Sequence, residues 1–213
     1  MHQVLPTLWQ TRTDSPFPGL TTHAFLWTGG RRNALFYSVA TDADFDAIEQ
    51  LGGIADQYLS HRDEAGPMLA RIARRFGSRL HAPAAESAEI SAHATIDVPL
   101  DRRHVDDNGI EVIPTPGHTP GSVCYLVAGS GGARYLFTGD TLYVDASGAW
   151  TAGYLPGMSD ARSLDHSLEL LATLTPDVVI SSAFAGDSAV HPVNRNRWPE
   201  HVEQARAGLA TRR

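Results

Sequence analysis

The sequence predicts an α+β fold in which two β-sheets pack face to face with helices on the outside. Three observations carry this. Strand-like segments alternate with helical segments in two successive halves of the chain. Hydrophobic residues make up 42% and charged residues 19% of 213 residues, enough to bury a substantial core. No internal repeat or low-complexity tract competes with a layered fold, so one domain over residues 1–213 is the expectation.

The first forty residues read as strands. THAFLW and NALFYSV are apolar and aromatic-rich, with the turn signal Gly29-Gly30 between them. In Asp42–Leu51, Phe45, Ile48 and Leu51 recur at helical spacing, acids fill the first turn and Gly52 stops the helix. A short strand near DQYLS enters the loop LSHRDEAG. Met68, Leu69, Ile72 and Phe76 then mark a helix ended by Gly77.

RLHAP and ATIDVPL read as short strands, and Asp107-Asn108-Gly109 as a tight turn. IEVIPT and SVCYLV follow as strands with PGHTPG between them, and RYLFTGD as a strand ending in Gly-Asp. Leu164, Leu168, Leu171 and Leu174 place a helix, DVVISSA a strand, and Trp198, Val202, Ala205 and Leu209 a C-terminal helix.

A net charge of -7 argues against nucleic acid or an anionic membrane as the main partner and leaves a small molecule. The lone Cys124, in an apolar run, excludes an intrachain disulfide framework and a Cys-rich zinc site. MHQVLPTLWQT shows no signal-peptide pattern, and no apolar run approaches the ~18 residues of a membrane span, so a soluble cytoplasmic protein is expected. Oligomeric state is not legible here.

Three loops at strand ends concentrate the chemistry: LSHRDEAG, Pro116–Gly121 and Thr138-Gly139-Asp140-Thr141. Together they offer His61, Asp63, Glu64, His118 and Asp140. Imidazole and carboxylate are donors that zinc, iron and manganese select. Loops held by a rigid sheet are where such donors are placed, and prolines and glycines around His118 fix its backbone. Taken singly, a His between prolines or a Gly-Asp pair is an ordinary turn or cap.

IEVIPTPGHTPGSVCYLV followed by YLFTGDTLY resembles the metallo-β-lactamase superfamily near its glyoxalase II-like members, from about THAFLW to DVVISS. The resemblance implies a four-layer αββα sandwich with one or two metals between the sheets. It implies that His118 is a ligand of the first metal and Asp140 the bridging carboxylate. Anchored on Gly66, the opening loop matches the family's HxHxDH motif with Leu59, His61, Asp63 and Glu64 at its His, His, Asp and His positions.

The same match exposes losses. Leu59 cannot bind metal, and Glu64 offers oxygen in place of nitrogen. The family's last His falls near Ser181, Ser182 and Ala183 in the run Val178–Gly186, and His191 lies further on, beside Pro192. Where relatives carry Asp-Thr-Gly to brace the ligand loop, this chain has Phe36–Ala40, which predicts a looser set of ligands.

Two intact zinc sites are not expected. One arrangement is a single divalent ion, zinc or iron, on His61, His118 and Asp140. Another is a carboxylate-rich pair, with Asp63 and Glu64 holding a harder ion such as manganese or magnesium. A third is metal-free, with one carboxyl of Asp63, Glu64 and Asp140 protonated by mutual repulsion or with Arg62 neutralising them.

The functional expectation is a metal-dependent hydrolase of unknown substrate with an altered site, Asp63 acting as base or orienting water. Gly153, Tyr154 and Pro156 are candidates to overlie its pocket. The alternative is a non-catalytic binding or interaction protein on the same fold. An iron-dependent oxygenase ranks last, because sulfur-oxidising relatives keep the His that Leu59 replaces.

Overall fold

The computed structural model describes residues 1–17, 20–184 and 188–212. Its α+β architecture is two sheets face to face with helices outside. The first sheet runs, from edge to edge, His2–Leu5, Leu8–Gln10, Phe25–Trp27, Ala34–Phe36, Asp56–Tyr58, Arg79–Pro83 and Val98–Leu100. The second runs His104–Val105, Glu111–Pro114, Val123–Ala128, Arg134–Gly139, Val178–Ser181 and Val190–Pro192. Most pairings are antiparallel. Helical crossovers make Ala34–Phe36, Asp56–Tyr58, Arg79–Pro83 and Val98–Leu100 parallel, and Arg134–Gly139 runs parallel to Val178–Ser181.

Alternation along the strands supplies both faces of each sheet. Phe36 of the first sheet stacks on Phe137 of the second with centroids 3.9 Å apart, and Tyr125 meets both Phe36 and Tyr58 at 5.4 Å. The adjacent Leu126, Leu136 and Val179 point the other way, to the helices. Each such buried side chain contributes ~1.5–3 kcal/mol of transfer free energy.

The helices are α1 (Phe45–Gln50), α2 (Pro67–Phe76), α3 (Ser87–Ser91), α4 (Ala161–Ala172) and α5 (Trp198–Ala210). α1 and α2 cover the first sheet through Phe45, Ile48, Met68 and Ile72. α2 starts on Pro67 and stops on Gly77 at φ 66°, as the sequence indicates. α4 and α5 cover the second sheet through Leu164, Leu168, Trp198 and Val202. No helix among the described residues is long and apolar enough to cross a membrane.

Three structural features escape the sequence reading, one of them a small three-stranded sheet of Asp14–Phe17, Leu20–Thr22 and Ala183–Phe184. Leu142–Val144 and Trp150–Ala152 form a separate hairpin over the second sheet, and Val190–Pro192 closes that sheet's edge. The hairpin delivers Gly153 and Tyr154 to the mouth of the site.

Tyr37 supplies a contact that the expectation of a looser ligand set did not include. It stands where the Asp-Thr-Gly brace is missing, buried and at φ 73°. Its hydroxyl donates to the Ile180 carbonyl at 2.7 Å and accepts from the Gly139 amide at 3.0 Å. The brace therefore crosses from the first sheet to the backbone beside Asp140.

Candidate metal centre

Four strands end at one rim of the sandwich and their following loops converge. The Asp56–Tyr58 strand leads to His61 and Asp63, Glu111–Pro114 to His118, Arg134–Gly139 to Asp140, and Val178–Ser181 to Ser182. Two loops are joined directly, since the Val123 amide donates to the Ser60 carbonyl at 2.8 Å.

His61 and His118 are buried, with rings 4.9 Å apart and nearly perpendicular. Both present Nε2 to the same space. His61 Nε2 lies 3.9 Å from Asp63 Oδ2 and 3.6 Å from Asp140 Oδ2. His118 Nε2 lies 4.0 Å and 3.8 Å from the same two oxygens. These separations are too long for hydrogen bonds. They suit donors sharing one ion, because two ligands ~2.1 Å from a metal stand ~3.4 Å apart at a tetrahedral angle and farther at wider ones. One donor atom each from His61, Asp63 and His118 lies within 4.8 Å of the others.

His118 is held by its other nitrogen. Nδ1–H donates to the Gly153 carbonyl at 2.7 Å, which leaves the lone pair on Nε2. Nε2 is buried and has no hydrogen-bond partner. An orphaned buried polar atom is uncommon and costs ~1–3 kcal/mol, so it points to a missing partner. The PGHTPG turn needs its first glycine: Gly117 sits at φ 141°, and a Cβ there would lie 2.3 Å from the Leu164 backbone of α4.

His61 is held by side chains. The Ser60 hydroxyl donates to Glu64 Oε1 at 2.5 Å and lies 2.8 Å from His61 Nδ1. A hydroxyl committed to Glu64 leaves its oxygen to accept from Nδ1–H, again freeing Nε2. Burial depresses the imidazole pKa, which keeps the ring neutral.

Glu64 does not join the Nε2 cluster. Its side chain is 8% exposed, lies 3.5 Å away on the Nδ1 side of His61, and accepts from the Ser60 amide at 2.8 Å. Its carboxyl is held well above the usual carboxylate range. Burial is the main cause, with the charges of Asp140 and Asp63 adding less, so repulsion is the smaller part of the effect expected from sequence. Asp63, by contrast, is 45% exposed at the side chain and open to the cavity.

A raised folded-state pKa means stability is complete below the unfolded value near 4.5 and is lost as pH rises through the folded one. Glu64→Gln keeps an acceptor for the Ser60 amide without the charge. Metal-free Glu64→Gln should melt ~2–4 °C or more above wild type at pH 8, and no higher at pH 4. The same difference at both pH values would show that ionisation of Glu64 is not responsible.

Asp140 is oriented by the residues where the last family His is absent. Its Oδ1 accepts from the Ser182 hydroxyl and from the Ala183 amide at 3.1 Å. Ala185 and Gly186 of that run lie outside the described residues. His191 pairs with Val179 in register and packs 5.7 Å from Trp150, on the helix-covered face of the sheet, so it does not reach the site. Leu59 is buried in an apolar cluster with Leu69, Leu80, Ala82 and Ile90. Arg62 lies at the edge of the cluster, its Nε 4.0 Å from both Asp63 Oδ1 and Glu86 Oε1 and its Nη1 3.1 Å from Glu89.

Sequence reasoning missed Glu86 and His23. Glu86 is fully buried; its Oε2 accepts from the Arg62 amide at 2.7 Å and its Oε1 from the Gly121 amide at 3.1 Å. It thus ties the His61 loop to the His118 loop. His23 lines the cavity, its amide donates to the Ser182 carbonyl at 3.3 Å, and burial lowers its pKa to about 4. Neither residue sits in a local motif, and only the THAFLW strand hinted at His23. The cavity has a volume of about 820 Å³; Tyr154 and Leu155 line it, whereas Pro156 is not among its lining residues.

The family model described as Metallo-beta-lactamase superfamily matches residues 55–183. The chain is 28% identical over 192 residues to a hydroxyacylglutathione hydrolase of Acidiphilium cryptum, covering 89% of this chain and 73% of that protein. It is 38% identical over 103 residues to one from Mesorhizobium japonicum, covering 46% of this chain and only 38% of that relative.

Among solved structures, a metallo-β-lactamase family protein from Thermus thermophilus superposes with a TM-score of 0.72 at 19% identity, over 99% of this chain and 81% of that one. A Cronobacter sakazakii metallo-β-lactamase with a HARLDQ motif gives a TM-score of 0.68 at 17% identity, over 98% and 95%. These structural likenesses speak to the fold.

Proposed function

Since the chain belongs to the metallo-β-lactamase superfamily, we propose that it is a metal-dependent hydrolase of a small acyl compound, working with one divalent ion. The ion would be held by His61 and His118 through Nε2 and by the carboxylates of Asp63 and Asp140. The observation that carries this is the buried, unpartnered Nε2 of His118, aimed at the space it shares with three other donors. Two imidazoles with carboxylates suit zinc or iron, and manganese also accepts them.

Such an ion, when bound, acts as a Lewis acid and makes water a nucleophile at neutral pH. The chain's residues supply the rest. Gly153 and the Ser60–Glu64 pair hold both imidazoles in the tautomer that presents Nε2. Ser182 and the Ala183 amide fix one oxygen of Asp140, leaving Oδ2 toward the cluster. Asp63 is more exposed than Asp140, and its carboxylate oxygen not engaged with the ion would orient the attacking water and take its proton. The relatives' names specify a thioester of glutathione, which makes an ester or thioester the substrate class to test first.

Leu59 and the absent last His favour a second reading, a binding protein that has kept the fold and given up turnover. One measurement separates the two. Protein purified without chelator and exposed to zinc, iron and manganese should hold about one ion per chain and hydrolyse thioesters only when loaded. A chain that retains no stoichiometric metal would sink the hydrolase reading.

A further inference from the structure

The cavity's lining is unsuited to the anionic substrate of the named relatives. It contains Asp14, Asp63, Glu64 and Asp140. No arginine lines it among the described residues, and the chain has no lysine. The undescribed segments 18–19 and 185–187 contain no basic residue, and Arg213 is the one basic residue outside the described ones. Arg62, the arginine of the His61 loop, is not a lining residue, and its guanidinium is shared among Asp63, Glu86 and Glu89. A divalent ion would offset at most two of the charges on Asp14, Asp63 and Asp140 and leave no surplus to receive another anion.

Apolar surface supplies most of the remaining wall. Val39, Met68, Tyr143, Tyr154 and Leu155 line the cavity, and Leu155 remains 43% exposed at its mouth. At about 820 Å³ the cavity is in the range that encloses a small organic ligand. Glutathione brings two carboxylates. Each would lose water here without a guanidinium or ammonium partner, which is unfavourable.

Resting on the hydrolase reading above, we infer that the substrate is an uncharged ester or thioester with an apolar body, and that glutathione conjugates are discriminated against. In the reaction, water oxygen bonds to the carbonyl carbon, the C–S or C–O bond breaks, and the leaving thiol or alcohol departs with a proton. Val39, Met68 and Tyr154 receive the apolar body, and the lack of an arginine or lysine among the described lining residues sets the selectivity.

The test uses matched pairs with the metal-loaded protein. Hydrolysis of neutral S-butanoyl-N-acetylcysteamine is compared with that of S-butanoylglutathione. Binding of the non-hydrolysable S-butyl-N-acetylcysteamine and S-butylglutathione is measured by calorimetry, with and without metal. The neutral member should lead by tenfold or more in kcat/KM and in Kd, about 1.4 kcal/mol. Ala40→Arg, on the exposed rim, should tighten S-butylglutathione several-fold and leave the neutral thioether unchanged.

Equal or better handling of the glutathione members overturns the inference and leaves the hydrolase reading standing. Turnover of neither thioester, with the neutral thioether still bound tenfold tighter, keeps the selectivity and removes the hydrolase reading. Failure to bind either thioether overturns the inference.

Discussion

His118→Ala should abolish metal-dependent stabilisation and reduce hydrolysis by ~10³-fold or more. The buried Nε2 of His118 has no protein hydrogen-bond partner, so a bound ion would satisfy it. Binding at a hundred times Kd stabilises a protein by ~2.7 kcal/mol, which for a chain of this size is a melting shift of roughly 5–10 °C. Wild type should show that shift with its preferred ion, and the variant should show none. The metal-free variant should fold, because the lost imidazole takes with it an orphaned polar atom as well as the bond to Gly153. An equal metal-induced shift in wild type and variant would place the ion elsewhere.

Glu86→Ala should cost ~2–5 kcal/mol and weaken metal binding by ~10–100-fold. Its buried carboxylate accepts from two amides on different loops, Arg62 and Gly121. Removing it leaves both N–H groups without an acceptor and loosens the distance between His61 and His118. Glu86→Gln cannot repair this, since its NH₂ end would face one of the two donors. Melting curves give the first effect and metal titration the second. Lost stability with unchanged metal affinity would make Glu86 a structural residue only.

The layered fold was legible because both sheets and most helices leave regular signals. Phe45 and Ile48, or Leu164 and Leu168, recur at helical spacing and do bury against the sheets. The His61, His118 and Asp140 loops were legible because glycine and proline punctuate them and because each ends an apolar strand. The Leu142–Val144 and Trp150–Ala152 hairpin was not, since its three-residue strands are too short to establish a period.

What holds the site was less legible than the site. Glu86 lies 24 residues from Arg62 and 35 from Gly121. Tyr37 acts on Gly139 across 102 residues. Sequence shows that a side chain has been replaced, as at Asp-Thr-Gly, but not that another reaches the same place from a different backbone conformation. Glu64 was read as a ligand by its position in a motif; three dimensions put it behind His61, bonded to Ser60.

The acceptor for His118 is a main-chain oxygen at a position where a Cβ would lie 1.8 Å from the Asp140 carbonyl. Nearly every mutation that changes that support must therefore also break the loop, so this half of the centre offers evolution no gradual adjustment. His61 is different, because Ser60 and Glu64 support it through side chains, which can be exchanged without moving the backbone. Drift in basicity, in ion preference and ultimately in chemistry has an open route through His61 and a closed one through His118.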